Sequence, residues 1–203
     1  MHAVARRTQE ERSASTKGRL LDATIDCLFD LGYAKTTTTE IAKRAGLSRG
    51  AQLHHFPTKV ELVTTAVDHL FTRRTEEFRV AFETLPGEAN KASAAIDLLW
   101  SIVSGPTFFA WLELMVAART DPELRATVSA MAARFTETVE RTFSEFFPRP
   151  AGAGPLHDIA PQFAFDLLQG LALEGIAQRE RIQGQRVVEV LKVLAPLSIP
   201  PTK

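Results

Sequence analysis

Apolar residues recur at steps of three and four along nearly the whole chain, and no run alternates apolar with polar residues as a half-buried strand does. The clearest case is Leu124, Val128, Met131, Phe135, Val139, Phe143 and Phe146, all on one helical face. The pattern predicts an all-α protein of about nine helices. The first runs from about Thr16 to Leu31, and Gly32 is placed to stop it in a left-handed cap. Thr37 stands three residues before Glu40, the spacing of a capping box, and opens a helix over Ile41 to Ala45 that ends at Gly46. Ser48 is a good N-cap for a third short helix, which runs to about His55 before Pro57 breaks it. Thr58 and Glu61 form a second capping box, and the long fourth helix they open is expected to end at Pro86 and Gly87. Further helices are expected at about 89–104, 106–119, 121–147, 158–181 and 185–197, with Pro148 to Pro155 as a loop and a proline-containing tail.

Charge divides the chain where composition does not. Of 24 basic and 24 acidic residues, the first sixty positions hold ten basic and six acidic, so a head of +4 is attached to a body of −4. The expected organisation is a basic head over 1–60 and an acidic helical body over 61–203. The stretch from Met1 to Gly18 is polar and basic, without the apolar core of a secretory signal. The longest greasy run, Phe108 to Ala118, is interrupted by Glu113 and is far short of the ~20 residues a bilayer span needs. A single cysteine, Cys27, lies in an apolar helical pattern and suits a reducing compartment, so a cytoplasmic protein with no membrane partner is expected.

Two short helices joined by a tight turn have the layout a helix-turn-helix requires: Ala42 is small enough for close approach, and Gly46 can supply a positive backbone angle. The 3.6-residue period turns Ser48, Arg49, Gly50, Leu53 and His54 outward, with Leu47 and Ala51 inward. The ordered set Thr37-Thr38, Glu40-Ile41-Ala42, Ala45-Gly46-Leu47-Ser48-Arg49-Gly50 and His54-His55-Phe56-Pro57-Thr58-Lys59 resembles the TetR family of bacterial regulators. The strict resemblance covers residues 15–65, and a looser one covers Leu167 to Ala177. It implies DNA-backbone contacts from Thr37 and Thr38, close approach to the groove at Gly50, and phosphate contacts from His54, His55 and Lys59. Arg49 is the candidate base reader, since a guanidinium donates twice to guanine N7 and O6. Where the family commonly has Leu-Tyr, this chain has Gln52-Leu53. Gln52 falls at a position usually buried, yet glutamine also pairs with adenine. His55 fits either a packed histidine or a phosphate contact.

One short reading helix covers too few base pairs, so a homodimer on a double-stranded, palindromic operator is expected. Leu167 and Leu171, with Val187, Val190, Leu191 and Leu194, are the candidate interface, and the resemblance implies a four-helix bundle across a twofold axis. Trp100, Phe108, Trp111, Met115, Met131, Phe135 and Phe163 are candidate lining for an apolar small-molecule effector, and the same residues also suit plain core. Glu113 fits a polar anchor in such a pocket or an exposed helix edge. By resemblance, an effector held between helices four and eight would tilt the fourth helix and lower DNA affinity, making the protein a ligand-released repressor. No cofactor or metal is expected. The histidines at 2, 54, 55, 69 and 157 form no Glu-x-x-His pair, and no phosphate loop or nucleophile elbow supports an enzyme. A nonspecific DNA-coating protein would be basic throughout, which this chain is not.

Overall fold

The computed structural model describes residues 9–85, 90–149, 151–177 and 182–198, and every regular element among them is a helix. In order these are α1 (Gln9–Lys35), α2 (Thr38–Arg44), α3 (Arg49–His55), α4 (Lys59–Glu83), α5 (Lys91–Val103), α6 (Pro106–Ala118), α7 (Pro122–Phe146), α8 (Pro155–Ala177) and α9 (Ile182–Ser198). The expected stop at Pro86 and Gly87, the expected α8 end at Arg181 and the tail beyond Ser198 lie outside the described residues. No single described helix is long and apolar enough to cross a membrane.

Several boundaries differ from the sequence reading, and α9 is helical already at Ile182, ahead of the expected residue 185. Helix α1 already covers Gln9, seven residues before the expected start at Thr16, and takes in the polar segment with Glu10 and Glu11. Gly32 does interrupt α1, but with φ 73 and ψ 168 it occupies a region open essentially to glycine alone, not the left-handed cap expected. A further turn then reaches Lys35, closed by the amide and hydroxyl of Thr36 donating to the Gly32 carbonyl at 3.1 and 2.8 Å. Helix α8 begins at Pro155 rather than Asp158, with proline in the first turn, where its missing N–H is least needed.

The chain forms two compact units. The first joins Met1–Phe71 with Phe109–Ser129, and the second joins Thr72–Phe108 with Ala130–Lys203. In the first, Leu20 and Leu28 of α1, Ile41 of α2, Leu62 of α4 and Leu114 of α6 are wholly buried. Each such side chain contributes roughly 1.5–3 kcal/mol by leaving water. Asp121 caps α7 by accepting the Leu124 amide at 3.1 Å, and Arg125 donates to the Ala118 and Arg119 carbonyls at 3.1 and 2.5 Å, closing the α6–α7 corner. In the second unit the ends of α4 and α7 meet through aromatic rings: Phe82 lies 4.4 Å from Phe146 and 5.4 Å from Phe147 between centroids. Helices α5, α8 and α9 pack together through Ala92, Ala95, Ile96, Leu168, Val188 and Leu191, all buried.

Cys27 is wholly buried, and burial pushes its thiol pKa up. A thiolate is needed for disulfide exchange. We therefore expect an aromatic disulfide reagent to label Cys27 more than about a hundred-fold more slowly in native protein than in denaturant, since reaction requires opening of the core. Labelling in the native state at the rate of a free thiol would contradict this placement.

Candidate nucleic-acid interface

The first unit presents two seven-residue helices, α2 and α3, each begun by a side-chain cap. Thr37 is extended, and its Oγ1 accepts the Glu40 amide at 3.1 Å. Ser48 does the same for the Ala51 amide at 3.2 Å, and Thr58 for the Glu61 amide at 3.1 Å. All three residues are exposed, and an accepting hydroxyl keeps its own proton to donate outward. Thr58 was read from sequence only as a cap.

The turn between α2 and α3 is a Schellman motif. The Leu47 amide donates to the Ala42 carbonyl at 2.9 Å, the Gly46 amide to the Lys43 carbonyl at 3.0 Å, and Gly46 has the expected positive φ of 63°. Arg19 of α1 then donates to the carbonyls of Ala45 and Gly46, and a Cβ on residue 46 would lie 2.9 Å from its guanidinium. Sequence reasoning missed Arg19, because no local pattern announces a partner twenty-six residues away. Asp30 ties Arg44 to α1 at 2.5 Å.

Helix α3 has two distinct sides. Arg49, Gly50, Leu53 and His54 are exposed, with Leu53 44% accessible, and Leu47 and Ala51 are half-buried. Gln52 does not reach DNA, a correction to the adenine-pairing expectation: it is wholly buried, and its Nε2 donates to the Phe56 carbonyl at 2.6 Å. Its place on the inner side follows from the helical period, one turn before the buried Phe56 that it anchors. Thr37 is exposed, Thr38 and His55 are half-buried, and the rings of His54 and His55 meet edge-on at 5.3 Å. Lys59 is half-buried and already engaged. Its Nζ donates to the Tyr33 carbonyl at 2.6 Å and sits 3.9 Å from the Tyr33 ring centroid, and burial pushes its pKa down. That bond uses one of its three ammonium protons.

Elsewhere the expected residues divide. In the first unit Trp111 is buried edge-on to Phe71 at 5.4 Å, and Met115 is half-buried. In the second, Phe108 and Met131 are buried, Trp100 is half-buried, and Phe135 is half-buried against Phe165 at 5.1 Å. Phe163 is 58% exposed on α8 and so lines no interior of the described residues, a correction to the expectation that it lines the pocket. Leu191, expected at the dimer surface, is instead 6% exposed and packs inward with Val188 and Ala195, one residue off the outward stripe of α9. Val187, Val190 and Leu194 are exposed as expected, and Leu167 and Leu171 are half-buried. Glu113 is half-buried, and its Oε2 accepts the Tyr33 amide at 2.7 Å. No group of three or more His, Cys, Asp or Glu able to hold a metal occurs among the described residues.

The model of the bacterial regulatory proteins of the tetR family matches residues 20–66, the segment that carries this interface. The HTH-type transcriptional regulator CymR of Pseudomonas putida is 32% identical over 183 residues, covering 90% of both chains. Among solved structures, FadR of Bacillus subtilis in complex with stearoyl-CoA is similar with a TM-score of 0.67 at 15% identity, over 90% of this chain and 98% of that one. A putative transcriptional regulator of Saccharomonospora viridis in complex with choline also scores 0.67 at 14% identity, over 89% and 95%. These two likenesses bear on the fold, whereas the CymR match extends over nearly the full length of both sequences. With its tight-turned helix pair matched by the family model and nine-tenths of its length by an HTH-type transcriptional regulator, the chain belongs to the TetR family and is a helix-turn-helix DNA-binding transcriptional regulator.

Proposed function

We propose that this protein is a repressor that binds a palindromic operator as a homodimer and is released from it by a small, largely apolar effector. The observation that carries the DNA-reading half is Gly50. A glycine in a helix costs about 0.5–1 kcal/mol relative to alanine. Here a Cβ would meet nothing closer than Ser48 Oγ at 3.9 Å, so the chain itself has no need of the gap. A groove wall pressed against α3 does need it. Beside that gap, Arg49 is exposed to donate to a guanine edge, and Thr37, Thr38, Ser48, His54, His55 and the spare protons of Lys59 are assigned to the DNA backbone. The reading module is assigned to residues 1–60 and the sensing and pairing module to 61–203.

The homodimer rests on α8 and α9. On α8, Leu156, Ile159 and Phe163 are 63%, 54% and 58% exposed and lie on one helical face. On α9, Val190 and Leu194 are 56% and 49% exposed. Residues on the opposite sides, Leu168, Ala172, Val188 and Leu191, are buried in the unit, so the outward apolar stripes are free for a second copy. Phe163 belongs with this surface. The effector reading rests on the aromatic and methionine content at Trp100, Phe108, Trp111, Met115, Met131 and Phe135, and on the ligand-bound state of the Bacillus and Saccharomonospora proteins. Such a ligand lowers operator affinity only in so far as it favours the DNA-incompetent state.

On DNA enriched from a random library by the wild-type protein, Arg49→Ala should weaken binding by about 1–3 kcal/mol and relax preference at one base pair per half-site. An equal loss on unenriched DNA would contradict base reading. Val190→Asp combined with Leu194→Asp alters only exposed positions, so helicity by circular dichroism should be unchanged while sedimentation equilibrium shows a monomer. A persisting dimer would remove the proposed interface.

A further inference from the structure

We infer that Glu113 is a positioning residue for DNA binding: its carboxylate, latched onto the backbone amide of Tyr33 across the gap left by Gly32, registers α6 on the end of α1 and holds the helix-turn-helix in its reading geometry. All the residues concerned lie in the first compact unit.

The regular path of α1 ends where Gly32 takes φ 73 and ψ 168. A new turn starts there, and the first amide of a helical turn has no partner within it. Tyr33 N–H finds one in Glu113 Oε2 at 2.7 Å. A Cβ at position 32 would stand 2.9 Å from that oxygen and 3.3 Å from Cδ, so the carboxylate occupies space that only glycine leaves open. One turn earlier on α6, Phe109 meets Phe29 of α1 at 5.9 Å between centroids. The two contacts lie one turn apart on α6 and fix its register on the end of α1 as well as its distance. The carbonyl of the same Tyr33 accepts from Lys59 Nζ at 2.6 Å, and Lys59 is the first residue of α4, directly after the Phe56-Pro57-Thr58 cap that follows α3. Both polar atoms of one backbone residue are thereby taken by side chains of α6 and α4. Thr36, which donates to Gly32 O from both its amide and its hydroxyl, closes the turn and leads directly into the N-cap of α2. Loss of the Glu113 bond frees the corner from which both α2 and α4 are set.

The sign of the effect separates this role from plain electrostatics. Removing an acidic side chain from a DNA-binding unit strengthens binding to all DNA through the phosphate charge. Removing a latch weakens binding. Operator-type DNA is taken from the random-library enrichment, and wild-type binding in the same titration separates failure of this inference from failure of DNA binding itself. Glu113→Ala should weaken binding roughly ten-fold, as expected for loss of a charge-assisted hydrogen bond. Glu113→Gln, which keeps an oxygen acceptor without the charge, should stay within about three-fold of wild type. Glu113→Ala binding as well as wild type or better, or Glu113→Gln falling with it, would overturn the assignment. Should Glu113→Ala not fold, the amide exchange of Tyr33 in the wild-type protein decides: protection is expected, and exchange at the rate of a free backbone amide would overturn it.

Discussion

A seven-residue helix does not stand alone in water, because the cost of its first turn is recovered only over a dozen or more residues. Both α2 and α3 are of this length, so the side of α3 that faces inward must be gripped by the rest of the unit. Ser48 caps its start, the Schellman turn at Gly46 sets its direction, Arg19 of α1 holds the carbonyls of that turn, and Gln52 closes its end onto Phe56. The Gln52 bond is made on the side away from Arg49, Gly50, Leu53 and His54, whereas the exposed Ser48 hydroxyl lies 3.9 Å from where a Cβ on Gly50 would stand. In the proposed function the exposed side chains of Arg49, Leu53 and His54 are then available for sequence reading.

The three glycines near this face serve different ends. Gly46 and Gly32 have positive φ, and each leaves room for a side chain that approaches the backbone: Arg19 at one, Glu113 at the other. Gly50 has neither property, and a side chain there would stand in open space. The first two are explained by the folded chain, and the proposed groove contact would account for the third. The same division holds for charge, since the first sixty residues are +4 within a chain whose total is zero.

Local signals were the legible part of the sequence. Caps at Thr37, Ser48 and Thr58 depend on neighbours three residues away, and the turn glycine on its own φ, so each could be assigned from spacing. The apolar face of α7 likewise follows from period alone, and Leu124, Val128 and Met131 are buried on it. Period does not say which neighbour covers a face. Phe163 and Leu191 both belong to apolar stripes, but one points to solvent and the other inward. Partners remote in sequence were equally hidden: Glu113 lies eighty residues from the amide it accepts, and nothing in the sequence around it marks α6 as part of the unit that carries the reading helix. Gln52 shows the limit from the other side, since its chemistry permits base pairing and only its burial decides against it.

The central claim is that α3 reads the major groove, and reads it twice. Dimethyl sulfate interference tests both parts at once, because the reagent methylates guanine N7 in the major groove and adenine N3 in the minor groove. On a DNA fragment enriched by the protein, interference is expected at guanine N7 in two clusters on one face of the duplex, separated by about one helical turn or a multiple of it. Interference confined to adenine N3, or to a single cluster, would contradict the account.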